Sequence, residues 1–251
     1  MIVDTTKGKV FCEFRKGDPL VVFIHGAGCN STLWKDVIDN LDYSVGYLLI
    51  DLPGHGKSTD AKMVESIEGY GDVVIEVVGK LNVENFVLSG HSMGGAIVLE
   101  LMSRSLSEVK AGIVISSGAT LKVNPLVIDG LKVSLSETLE KISKWAISRD
   151  SDSEILKRIF SIFSSCDVSV IISDFVACDN FDIRDKLNLI DKPLLVVVGS
   201  SDVMTPHSLS KEIVDRVEFA RFVVIDGKGH MLPIESPKEL ANIIEEFIKE
   251  I

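Results

Sequence analysis

Short uninterrupted apolar runs recur along the chain at residues 20–24, 45–50, 86–88, 112–115, 194–198 and 222–225, each bounded by Gly, Pro or Asp. Runs of this length without polar alternation predict strands buried on both faces. Between them, over residues 33–41, 64–81, 93–106 and 209–217, apolar side chains fall three or four apart, the spacing of helices with one buried stripe. Strand and helix alternate, which predicts a mostly parallel sheet covered on both sides. A last helix is expected to the C-terminus, with Ser236 as cap, Pro237 in the first turn and Glu239 completing a capping box.

One stretch interrupts the alternation. Over residues 121–178 no buried strand is evident, and Leu131, Leu135, Leu139 and Ile142 follow helical spacing. The expected organisation is therefore an α/β core of residues 1–120 and 179–251, with a helical cap of residues 121–178 inserted between two strands. The 251 residues suit one large domain with such an elaboration. The insertion is nearly balanced in charge and carries apolar side chains suited to covering an apolar site; Leu131, Phe160 and Phe163 are its candidate pocket residues.

Composition narrows the function classes. Hydrophobic residues at 46% and charged residues at 25% fit a soluble globular protein. A formal net charge of −11 would repel a phosphate backbone or an anionic bilayer, so nucleic-acid binding and membrane adsorption are disfavoured. Residues 1–17 show no apolar segment behind a basic start, and no run approaches the roughly 20 apolar residues of a membrane-crossing helix. A cytoplasmic protein without stable membrane insertion is expected. Cys12, Cys29, Cys166 and Cys178 lack metal-site or disulfide-framework spacing, so no metal is expected.

The sharpest chemical signal is Gly90-His91-Ser92-Met93-Gly94, placed directly after one predicted strand and before a predicted helix. So abrupt a turn lifts the central side chain above the sheet, and glycines two positions to either side let backbones pass closely. A serine hydroxyl needs a neighbouring base, and the base a third group to orient it. Asp202 follows the strand at 194–198, and His230 follows the strand at 222–225; both should reach the strand ends where Ser92 lies. Asp226 is a rival acid, disfavoured because it shares the His230 loop. Backbone amides of Met93, at a helix start, and of Ala27, in His25-Gly26-Ala27-Gly28, are candidate donors to a developing oxyanion.

Two phosphate-loop readings fail. Gly56-Lys57-Ser58 ends like a Walker A loop, but Asp51 stands where the leading glycine belongs. Gly26-x-Gly28 opens a dinucleotide fingerprint whose third glycine is Ser31. His25, His55, His91 and His207 are assigned no catalytic role.

Together these segments resemble the α/β-hydrolase superfamily, in particular its capped small esterase, lipase and acyl-hydrolase branch. The likeness also takes in Asp51-Leu52-Pro53-Gly54-His55-Gly56-Lys57-Ser58, Asp179 to Asp182 leading into Pro193, Gly199 to Asp202 with Pro206, and Gly229-His230-Met231. It implies a Ser92-His230-Asp202 triad, an acyl-enzyme intermediate, hydrolysis by water and no cofactor. The cap does not match the family closely, so the resemblance leaves the substrate open; a small-molecule carboxylic ester of short or medium acyl chain is the leading expectation. Epoxide hydrolases and haloalkane dehalogenases resemble the same fold but carry aspartate at the Ser92 position. Two rival readings keep these residues: a lyase or carbon–carbon bond hydrolase, and a non-catalytic small-molecule binding protein.

Overall fold

The computed structural model describes residues 1–251. Eight strands form one sheet: β1 (Ile2–Thr5), β2 (Gly8–Arg15), β3 (Leu20–Ile24), β4 (Gly46–Ile50), β5 (Phe86–His91), β6 (Val109–Ile115), β7 (Leu194–Gly199) and β8 (Ala220–Ile225). Their spatial order is β1-β2-β4-β3-β5-β6-β7-β8, with β1 and β2 antiparallel to each other, β2 antiparallel to β4, and every other pair parallel. This is the α/β-hydrolase fold.

Strand alternation divides the core in two. Leu20, Val22 and Ile24 join one apolar cluster with Val73, Val74 and Val77 of α2 (Ile67–Lys80) and with α3 (Met93–Met102). Val21 and Phe23 face the other side, among Trp34, Val37 of α1 (Lys35–Ile38), and Leu240, Ile244 and Phe247 of the C-terminal helix. Every residue of β3, β5 and β7 is buried, as continuous apolar runs require when helices cover both faces.

Three expectations are corrected. β1 and β2 were not expected, because Lys9 and Glu13 alternate with Val10 and Cys12 in a half-exposed hairpin that leaves no continuous apolar run. β8 is an edge strand with only Ile225 fully buried, not a strand covered on both faces. Ser236 does not cap through its side chain; its hydroxyl instead donates to Glu239 Oε2 at 2.9 Å, and a short helix, Leu232–Glu235, precedes it.

Between β6 and β7 stands a helical cap of α4 (Pro125–Val133), α5 (Leu135–Trp145), α6 (Ser153–Ser164) and α7 (Val168–Asn180). Asn124, Asp152 and Asp167 start α4, α6 and α7, each accepting an amide of the first turn through its side chain. A bridge between Thr120 and Asp182 closes the base of the insertion. α8 (His207–Val214) follows β7, α9 is the Leu232–Glu235 helix, and α10 (Pro237–Lys249) ends the fold. No single helix is long and apolar enough to cross a membrane.

Candidate active site

Ser92 occupies the turn between β5 and α3 with φ 54° and ψ −116°. A left-handed φ on a residue with a side chain costs of order 1–3 kcal/mol and persists only where the surroundings enforce it. Here they do: the Ser92 amide donates to Ile115 O at 2.9 Å, while its carbonyl accepts from Ser117 Oγ at 2.7 Å and Gly95 N at 2.9 Å. The flanking glycines are steric necessities, since a Cβ on Gly90 would lie 2.0 Å from Gly94 O and one on Gly94 2.2 Å from Ile24 O.

His230 and Asp202, on the loops after β8 and β7, meet with His230 Nδ1 2.9 Å from Asp202 Oδ2. Thr205 supports both: its hydroxyl donates to Asp202 Oδ2 at 2.8 Å and lies 3.0 Å from His230 Nδ1. Asp202 Oδ1 accepts the Met204 and Thr205 amides at 2.9 and 2.8 Å. Burial, the largest influence on this carboxyl, would raise its pKa, but the His230 charge and these hydrogen bonds outweigh it and hold the value down. Asp202 therefore stays anionic and engages Nδ1 of His230, so that Nε2 is the ring nitrogen without a protein partner. Asp226 turns elsewhere, accepting from Ser200 Oγ at 2.9 Å on the exposed surface.

The backbone of His230 is held from two directions. Its amide donates to Ala146 O of the cap at 3.1 Å, and its carbonyl accepts from His91 Nε2 at 2.9 Å. Burial, assisted by the nearby His230 charge, drives the pKa of His91 down to about 3, so His91 is a neutral fastener of the loop. Sequence reading missed Thr205, His91 and Ala146 in these parts. Only the presence of His91 within the turn motif gave any hint, because backbone acceptors and threonine hydroxyls carry no pattern.

Ser92 and His230 border one cavity of about 370 Å³, together with Ala27. The Ser92 hydroxyl is not hydrogen-bonded to His230 in this conformation, a contact that resting enzymes often tighten only with substrate bound. The Ala27 amide forms no hydrogen bond within the protein, and Met93 begins α3, whose first amides point out of the helical ladder. Cap and core enclose the cavity with Val127, Ile142, Trp145, Phe175, Met204 and Leu209. Phe163 borders a small recess beside Ser92 and His230, whereas Leu131 and Phe160 lie in or against the apolar core cluster and do not line the cavity. Apolar residues at helical spacing serve either purpose, so sequence alone had no means of separating Leu131 from Val127. No group of three or more His, Cys, Asp or Glu is gathered to hold a metal ion.

The chain is similar to known proteins over nearly its whole length. A model of the alpha/beta hydrolase family matches residues 21–243. The chain is 23% identical over 250 residues to a pimeloyl-[acyl-carrier protein] methyl ester esterase of Yersinia enterocolitica, covering 94% of this chain and 95% of the relative. Among solved structures, a thermophilic esterase superposes with a TM-score of 0.89 at 29% identity, covering 100% of this chain and 97% of its own. An esterase from Exiguobacterium antarcticum gives a TM-score of 0.92 at 19% identity, with 99% and 98% covered.

Proposed function

The chain belongs to the alpha/beta hydrolase family, and from that premise we propose that it is a serine esterase acting on small-molecule carboxylic esters of short or medium acyl chain. Ser92 Oγ attacks the ester carbonyl carbon as His230 Nε2 takes the hydroxyl proton. The new imidazolium is stabilised by Asp202 across the 2.9 Å contact. Negative charge gathers on the former carbonyl oxygen, where the Ala27 and Met93 amides donate to it. Collapse breaks the bond to the alcohol oxygen, which leaves with the proton from His230, and an acyl group remains on Ser92. Water, deprotonated by the same imidazole, attacks the acyl-enzyme and releases the carboxylic acid, and Ser92 regains its proton.

The observation that carries the reading is the convergence of an oriented imidazole, an elbow serine and an unbonded loop amide on one mostly apolar cavity. That cavity supports an acyl substituent, since its wall offers aliphatic and aromatic side chains around the serine. The esterase relatives support ester cleavage over carbon–carbon bond cleavage. A series of p-nitrophenyl esters from acetate to palmitate tests the proposal. The expected result is a kcat/KM maximum among the short and medium chains that is lost in Ser92→Ala. Equal turnover by Ser92→Ala, or none by the native chain on any ester, overturns it.

A further inference from the structure

Outside the candidate triad, one buried cluster of titratable groups has no part in the chemistry above. Asp174 on α7 is wholly buried, and its carboxylate gathers three separate core elements. Oδ1 accepts the Tyr70 hydroxyl of α2 at 2.7 Å; Oδ2 accepts His55 Nε2 at 2.8 Å and the Gly28 amide at 2.9 Å. The other ring nitrogen of His55, Nδ1, faces Pro53 O at 3.1 Å. An imidazole with an acceptor at each nitrogen satisfies both only as imidazolium. Burial would lower its pKa, but the Asp174 charge and the hydrogen bonds outweigh burial and raise it. The pair is thus a buried cation and anion, with the remaining acceptor capacity used by Tyr70 and Gly28.

The Gly28 contact links this cluster to catalysis. In the peptide before Ala27, the Gly26 carbonyl lies 2.8 Å from His25 Nδ1 and accepts the Cys29 amide at 3.1 Å. His25 Nε2 accepts the Leu52 amide at 3.0 Å, so its proton sits on Nδ1, and its ring lies 4.8 Å from that of His55. In the peptide after Ala27, the Gly28 amide is held by Asp174. Both planes flanking Ala27 are pinned, which fixes the direction of the Ala27 N–H while leaving that amide itself unbonded. Gly28 has φ +65°, and a Cβ there would meet Phe163 and Ile171 of the cap at 3.2 and 3.3 Å, so the cap also packs onto this loop.

Resting on the esterase reading, we infer that Asp174 is a positioning residue of the oxyanion hole, through which the cap sets the orientation of the Ala27 amide. An oxyanion donor acts mainly in the transition state, so its misalignment lowers kcat and leaves KM nearly unchanged. Removing a donor outright costs roughly 100- to 1000-fold; losing its alignment should cost about 10- to 100-fold. The test is Asp174→Ala, with competent sites counted by fluorophosphonate titration and with Tyr70→Phe as a control that keeps the Gly28 contact. For Asp174→Ala we expect kcat to fall about 10- to 100-fold per titrated site, KM to stay within about threefold, and affinity for an alkyl boronic acid to fall in parallel with kcat. Tyr70→Phe should lower the melting temperature yet keep kcat within about twofold.

If Asp174→Ala does not fold, the triple variant Asp174→Val, His55→Leu, Tyr70→Phe removes the Gly28 acceptor without stranding a charge and carries the same expectation. Wild-type kcat in a folded Asp174 variant, an equal kcat loss in Tyr70→Phe, or failure of both Asp174 variants to fold overturns the inference and leaves the cluster as structural cement. A native chain that neither titrates with fluorophosphonate nor turns over esters instead overturns the esterase reading.

Discussion

The molecule holds two histidine–aspartate pairs of nearly equal length, and they are built for opposite purposes. His230 meets Asp202 through Nδ1 at 2.9 Å and keeps Nε2 without a protein partner beside the cavity. His55 meets Asp174 through Nε2 at 2.8 Å and points Nδ1 at a carbonyl, so neither nitrogen is left over. The first arrangement leaves one ring nitrogen unpartnered; the second gives both an acceptor, which favours the imidazolium. Contact distance says nothing of the difference, which lies in what the second ring nitrogen faces.

Removing each ring in turn separates the two pairs most visibly. His230→Ala should lower kcat by roughly 10,000-fold or more while the melting temperature stays close to native. His55→Gln should act the other way, costing roughly 3–5 kcal/mol of stability by stranding the Asp174 charge, with a far smaller loss of turnover per folded molecule. Urea unfolding and ester turnover on both variants check this, and interchanged effects would end the distinction. Asp202→Asn comes next, with a loss of about 1,000- to 10,000-fold as the wrong His230 tautomer is favoured in an otherwise folded protein. Native turnover in that variant would dismiss Asp202 as the orienting group.

Acid sharpens the same contrast. Burial first, and neighbouring histidine charge second, push His25 and His91 down to about 3 from the ordinary 6.5. Below pH 6.5 the unfolded chain therefore binds protons that the folded chain refuses. Stability should fall as the pH drops from 6.5 toward 3, by on the order of 1 kcal/mol per pH unit for each ring. His55 has the opposite sign: its raised value contributes fully below pH 6.5 and is lost as the pH rises through the folded value. A urea midpoint unchanged between pH 7 and pH 5 would contradict the buried-neutral assignment of His25 and His91.

How much of this was legible depends on what each residue announces locally. β3, β5 and β7 announced themselves because burial on both faces leaves an unbroken apolar run, and the elbow because glycine is the only residue that fits positions 90 and 94. β2 stayed hidden because one of its faces is wet, and its charges masked the alternation of Val10 and Cys12. Asp174 was invisible for a stronger reason. A lone carboxylate in a helical segment ordinarily marks a solvated face, and only the fold brings Gly28, His55 and Tyr70 around it from three distant parts of the chain.

The cavity wall offers the smallest effect. Phe175→Ala enlarges the space around Ser92 and should shift the preferred acyl chain toward longer esters, by about tenfold in the ratio of kcat/KM values. Leu131→Ala removes a core side chain that does not touch the cavity, so it should cost roughly 2–5 kcal/mol of stability and leave the chain-length preference where it was. A shifted preference in Leu131→Ala would return that residue to the pocket.

Whether Ser92 and His230 act together is read most simply by peptide-mapped mass spectrometry of the native chain after a fluorophosphonate, alongside His230→Ala. One phosphonyl adduct is expected on Ser92, formed far more slowly when His230 is absent. An unmodified Ser92, or an adduct that forms at the same rate without His230, would contradict it.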